Sequence, residues 1–300
     1  MLSKKVFTLC NKTDKISTTS YTKSKFLFFF RIMVSFIAII EFASLAKDLT
    51  VLFYPTQTIL PQELIILQSG YFRYLYPFYQ FLKDQQLIEY FYSGAIYSYV
   101  IALFFLLSGL FTRYAAFAAL ILQLIIFKSF SPFNYGYDNF LTMSLFYCVI
   151  FPVGRYYSLD FLIFKFKYKI QLNYQRVIQI HLAIAYLFSG VAKALDSGWW
   201  DGNSVWKAIV SVDNSYYTLS PLILILAGIG TVLLELSYPV LMYFRKSRSY
   251  ALIAVILMHS SIAIFMGLYA FSAIMIVWNI AAFGNLDSVA KNKIIDVETA

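Results

Sequence analysis

Eight stretches of this chain run almost unbroken in apolar residues, at roughly 26–45, 89–110, 114–131, 140–153, 177–195, 220–243, 249–268 and 269–285. About 20 such residues cross the hydrocarbon core of a bilayer. Backbone surrounded by lipid must satisfy its own hydrogen bonds, and a helix does so within one segment. The pattern predicts an all-α integral membrane protein, a polytopic bundle of about eight transmembrane helices. The fourth window is short and the last two are joined almost without a loop, which makes the count good to about one span. Composition agrees: 60% of residues are hydrophobic and 13% are charged, against about 25% charged in a soluble domain. There is no Gly-rich phosphate loop, no Cys/His metal spacing and no Ser-His-Asp pattern, so soluble chemistry is excluded.

Basic residues set the orientation, because cytoplasmic loops retain Lys and Arg. With the N-terminus inside, the cytoplasmic segments hold seventeen of the 24, among them Lys4, Lys5, Arg113, Lys165, Arg245 and Lys291. The outer segments hold Lys47, Arg73, Lys83, Lys128 and Lys207, and Arg31 and Lys193 fall within spans. Both termini are expected in the cytoplasm and the chain in the cell (inner) membrane. The net charge of +9 then faces anionic headgroups, so the partner is the lipid bilayer and not nucleic acid.

Residues 1–25 read as a basic cytoplasmic arm, 26–285 as the transmembrane bundle and 286–300 as a cytoplasmic tail. The arm and first window could pass for a signal peptide, but Arg31 and Glu41 inside the apolar run argue for a retained helix. Phe164 to Lys169, FKFKYK, reads as an interfacial segment. Cys10 and Cys148 offer neither a disulfide framework nor a metal site. The long outer stretch from Asp48 to Ile88 is rich in aromatics and reads as a helix lying in the outer interface.

Polar residues within spans must face protein or water. Counted at 1.5 Å per residue, Arg31 lies near the cytoplasmic end of the first helix and is expected to snorkel. Glu41 and Lys193 lie in the outer thirds of theirs, at depths that allow an ion pair. His259 sits mid-helix, as an interior hydrogen-bonding residue or a proton carrier. Glu235 falls in the inner half of its helix, before Pro239, and Asn279 is a further interior hydrogen bonder. Trp199, Trp200 and Trp206 read as outer-belt anchors.

Lys193 is the sharpest of these. A lysine in hydrocarbon costs about 2.5–3.5 kcal/mol on insertion scales. It can reach the outer headgroups beside Asp196, or it can be a desolvated amine that acts as a base. Ser189 and Gly190, one turn earlier, allow another backbone or a ligand to approach closely.

The stretch YLFSGVAKALDSGWWDGNS (Tyr186 to Ser204), with ELSYP (Glu235 to Pro239), His259 to Asn279, Phe29 to Ile40 and Gly109 to Phe117, resembles the HTTM domain family. That family includes the membrane part of vitamin K-dependent γ-glutamyl carboxylase and the bacterial sporulation-delaying toxin maturation protein B. The resemblance runs from about residue 25 to 285. It implies a bacterial membrane enzyme that performs base-driven chemistry on a lipid-soluble, quinone-like or peptide substrate at the outer side. Lys193 would be the base, a reduced quinone of the vitamin K type the cofactor, and Tyr137, Asp138, Glu41 and His259 neighbours that tune it or relay protons. The carboxylase's functional histidine has no counterpart, since Phe133 to Phe140 (FNYGYDNF) offers Tyr137 and Asp138 instead. Two other readings stay open: a nonenzymatic partner in maturation, export or immunity of a small secreted toxin peptide, and a DoxX-like quinone-linked membrane subunit.

Overall fold

A computed structural model describes residues 25–54, 61–68, 70, 72–128, 134–164, 173–211 and 219–284. The expected arm (except Lys25), the expected tail, Cys10 and all of the FKFKYK run but Phe164 lie outside the described residues. Among the described residues all regular structure is helical, with no strand. In chain order the helices are α1 (Lys25–Ser44), α2 (Leu49–Phe53), α3 (Gln62–Gln68), α4 (Tyr76–Asp84), α5 (Ile88–Ser108), α6 (Thr112–Gln123), α7 (Gly136–Ile150), α8 (Leu159–Phe164), α9 (Tyr174–Leu195), α10 (Asn203–Val210), α11 (Pro221–Tyr243), α12 (Arg245–Met266) and α13 (Tyr269–Phe283).

Five of them, α1, α5, α9, α11 and α12, are long and apolar enough to cross a membrane. The other three expected windows hold the shorter α6, α7 and α13, of 12, 15 and 15 residues. At 1.5 Å per residue these reach about 18–22 Å, less than a hydrocarbon core of about 30 Å. A π-helical turn, Leu124–Lys128, extends α6. The outer stretch is not the single interfacial helix expected of it: α2, α3 and α4 are separate short helices, punctuated by Pro55, Pro61 and Gly70.

The chain divides into two compact units, Leu27–Tyr168 and the remainder. In the N-terminal unit α6 packs on both α5 and α7. Gly109 ends α5 with a left-handed φ of +74°, a conformation that costs glycine little. A side chain there would also run into the Arg31 guanidinium and Ser158. The start of α6 is capped from a distance: the Asp160 carboxylate accepts the amides of Phe111 (2.7 Å) and Thr112 (2.8 Å) and the Thr112 hydroxyl (2.6 Å). This supplies the acceptors that the first amides of a helix lack.

In the C-terminal unit α9 packs antiparallel to α11, and α13 closes against both α9 and α12. The close approach of α9 and α11 depends on Gly190, where a Cβ would lie 2.8 Å from the Leu236 backbone nitrogen. Past the end of α9, the segment 196–210 packs along the first half of α11, with Gly202 against Leu224 and Ile225, and Gly228 against the Trp199 carbonyl. Gln175 and Gln179, near the start of α9, donate to the carbonyls of Ala281 and Ala282 at the end of α13 (2.7–3.0 Å).

Candidate functional site

Tyr186, Ser189, Gly190 and Lys193 recur at helical spacing and so share one face of α9. The Lys193 ammonium donates to both oxygens of Glu235 (2.7 and 3.0 Å) and to the Ser189 hydroxyl (2.5 Å). The Trp199 ring covers it, with its centroid 5.2 Å from Nζ. Side-chain exposure is 20% for Lys193 and 7% for Glu235, so water competes weakly for this ion pair.

The partner corrects two depth readings. Lys193 pairs with Glu235 in place of Glu41, and Glu235 lies level with the C-terminal end of α9, so the outer third expected for Lys193 and the inner half expected for Glu235 do not both hold. The reason is the segment 196–210, which occupies the first half of α11 and sets Glu235 level with the end of α9. Nor is the Lys193 nitrogen set in an apolar pocket or reaching for Asp196. Asp196 is exposed; its carboxylate accepts the Gly198 amide (3.0 Å) and the Ser204 hydroxyl (2.9 Å), which hold it below the usual carboxylate range.

Beside the ion pair, a buried chain of polar groups runs from α11 through α13 and α9 to α12. Tyr238 donates to Asn279 Oδ1 (2.8 Å), and Asn279 Nδ2 donates to the Tyr186 oxygen (2.9 Å) and to the Met275 carbonyl (2.9 Å). Tyr186 and His259 Nε2 are 2.7 Å apart. Because the Tyr186 oxygen already accepts from Asn279, its hydrogen is free to go to Nε2. With that direction the ring proton of His259 is on Nδ1, and with the reverse direction it is on Nε2. Nδ1 has no partner among the described residues.

Tyr137, Asp138 and Glu41 belong to the N-terminal unit, where they line a cavity of about 250 Å³ with Tyr99, Gln123 and Tyr135 among others. Asp138 closes a capping box at the start of α7, accepting the Tyr135 amide at 3.0 Å. Tyr135 donates to Glu41 at 3.5 Å, the outer limit of a hydrogen bond, and burial near these two carboxylates raises its phenol above the ordinary range. Arg31 does not snorkel. It is 1% exposed and donates to the Tyr157 carbonyl at 2.7 Å, in the space that Gly109 leaves open.

Sequence reading singled out neither Tyr186 nor Tyr238 as a hydrogen-bonding group, because an aromatic in a chain with 25 tyrosines reads as packing. Gln123 was also missed, although an amide inside the run AALILQLII was a visible signal. Compared with known proteins, the chain matches no family model, no curated protein and no solved structure.

Proposed function

We propose that the chain is an eight-span HTTM-type protein of the inner membrane, with both termini cytoplasmic. It performs base-driven chemistry on a lipid-soluble or peptide substrate from the outer side. The observation that carries this reading is the shielded Lys193–Glu235 pair, with Ser189 beside it on α9 and the hydrogen bond from Tyr186 on α9 to His259 on α12. Transfer of a proton from the Lys193 ammonium to the Glu235 carboxylate gives a neutral amine and a neutral acid, a state that costs less desolvation than two buried ions. The amine then takes a proton from a substrate acid, which restores the ammonium and leaves the substrate anion beside it.

A reduced quinone would be held here by a phenolic hydroxyl that takes the place of Ser189 at the Lys193 ammonium and donates to Glu235. Such a cofactor would supply the reducing electrons. The test uses purified protein in lipid nanodiscs with a reduced naphthoquinone under oxygen, following its consumption by chromatography. Consumption above the protein-free rate that Lys193→Met removes, in a variant that still elutes as folded protein, is the expected result. Full turnover in Lys193→Met overturns the proposal.

The contact of the ammonium with three oxygen atoms favours a second reading, in which the pair locks α9 to α11 and the protein serves the maturation, export or immunity of a small secreted peptide. A gene for such a peptide beside this one, and processing of the peptide that survives Lys193→Met with Glu235→Met, distinguish that reading from the first.

A further inference from the structure

The cavity of the N-terminal unit is lined by buried polar atoms that have no hydrogen-bond partner among the described residues. Its volume of about 250 Å³ can be scaled against an apolar cavity of about 150 Å³ that holds benzene, which gives room for about ten non-hydrogen atoms. Two carboxylates, Glu41 and Asp138, line it, and no Lys or Arg does among the described residues. Phe42, Tyr99 and Tyr135 supply rings. An acidic chamber walled by aromatic faces attracts an organic cation, through the carboxylate charge and through the ring quadrupoles. Asp138 is committed to the cap of α7. Glu41 is held only by the 3.5 Å contact from Tyr135, so it is the carboxylate with capacity to spare.

A second observation points to the other end of the ligand. Tyr137 is 3% exposed and Gln123 is fully buried, yet the Tyr137 hydroxyl and Gln123 Nε2 have no hydrogen-bond partner among the described residues. Gln123 can relieve its own amide by turning it over, since Thr142 gives its single proton to the Asp138 carbonyl at 2.6 Å and can accept from Gln123 at 2.9 Å; the Tyr137 hydroxyl has no such exit among the described residues. A buried donor without an acceptor carries its desolvation cost uncompensated.

We infer that this cavity binds a small organic cation bearing a primary ammonium beside a carbonyl-type acceptor, with the ammonium at Glu41 and the acceptor at the Tyr137 hydroxyl. A free amino amide has this chemistry, and so does the amino end of a peptide. The inference rests on the N-terminal unit alone and is independent of the role of Lys193.

Calorimetric titration of the full chain in nanodiscs with L-leucinamide, a molecule of about nine non-hydrogen atoms that fits the volume, tests it. Leucinamide binds; 4-methylpentanamide, the same skeleton without the amine, binds about tenfold or more weaker, and Glu41→Gln loses affinity by a similar factor. Tyr137→Phe weakens leucinamide by about three- to tenfold while leaving the unfolding temperature of the unliganded protein unchanged. It decides the question even where Glu41→Gln fails to fold. Equal binding of a leucine-initiated tripeptide amide identifies the peptide source, and preference for leucinamide identifies the free amine. No binding of leucinamide, equal binding of 4-methylpentanamide, or unaltered binding in Tyr137→Phe overturns the inference.

Discussion

The two units satisfy buried polarity to different degrees. In the C-terminal unit the Lys193 ammonium, the Glu235 carboxylate, three hydroxyls, the Asn279 amide and the His259 imidazole are hydrogen-bonded across four helices, and His259 Nδ1 and the Ser272 hydroxyl are left over among the described residues. In the N-terminal unit the Tyr137 hydroxyl, Gln123 Nε2 and two nitrogens of Arg31 find no partner among the described residues. A satisfied network fixes helices in one arrangement, whereas an unsatisfied one is stable only if the surrounding structure holds it or a ligand completes it. The C-terminal unit's polarity is therefore spent mostly on its own packing, and the cavity of the N-terminal unit keeps a donor that a guest could satisfy.

The largest effect that can break this contrast is at the ion pair. Glu235→Gln leaves a charged lysine shielded and unpaired, for which about 3–5 kcal/mol of destabilisation is expected. Lys193→Met with Glu235→Met should recover most of it, since an apolar pair replaces both charges. Thermal unfolding in detergent measures both, and a Glu235→Gln variant as stable as the parent would show that the pair is solvated. Next comes Gly190→Leu, which forces apart α9 and α11 where a Cβ already meets the Leu236 nitrogen. Overpacking of this kind costs about 1–3 kcal/mol, and the same melting experiment reads it.

A matched pair of substitutions sharpens the contrast further. Tyr186→Phe removes a hydroxyl that bridges Asn279 and His259, leaving both short of a partner, and should cost about 1–3 kcal/mol. Tyr137→Phe deletes a hydroxyl that bonds nothing among the described residues, and should lie within about 0.5 kcal/mol of the parent. Equal melting shifts for the two would remove the distinction between a closed network and an open cavity.

The helices themselves were legible because hydrocarbon length and apolar runs are both one-dimensional properties. Each of the eight windows holds a helix. Lys193 was legible for the same reason, as a charge where none is expected. Its partner was not. Depth counted from Pro221 placed Glu235 away from Lys193, since nothing in the sequence says that residues 196–210 turn back along the first half of α11. Arg31 misled differently: snorkelling is the default for a basic residue near a helix end, and the pocket that buries it exists because Gly109, almost eighty positions later, has no side chain. The cavity depends on α1, α2, α5, α6 and α7 meeting, a many-body fact with no sequence signal beyond the isolated Gln123.

The smallest expected effect lies at the surface, where solvent limits what any polar group can contribute. Asp196 caps the turn after α9 by accepting the Gly198 amide and the Ser204 hydroxyl, and these two bonds hold its carboxyl below the usual range. Its folded state therefore titrates at lower pH than its unfolded state, so the cap is fully formed above the unfolded value of about 3.9 and is lost as pH falls through the folded one. Protection of the Gly198 amide against hydrogen exchange, corrected for the intrinsic rate, should stay level from pH 7 to about 5 and fall only below about 4. Lys193 should be indifferent to that loss, since its bonds run to Glu235 and Ser189. If the environment of Trp199, read by fluorescence, changes in step with Gly198 protection, the cap and the buried pair are one cooperative element, and the boundary drawn between surface and interior polarity in this unit moves outward to include Asp196.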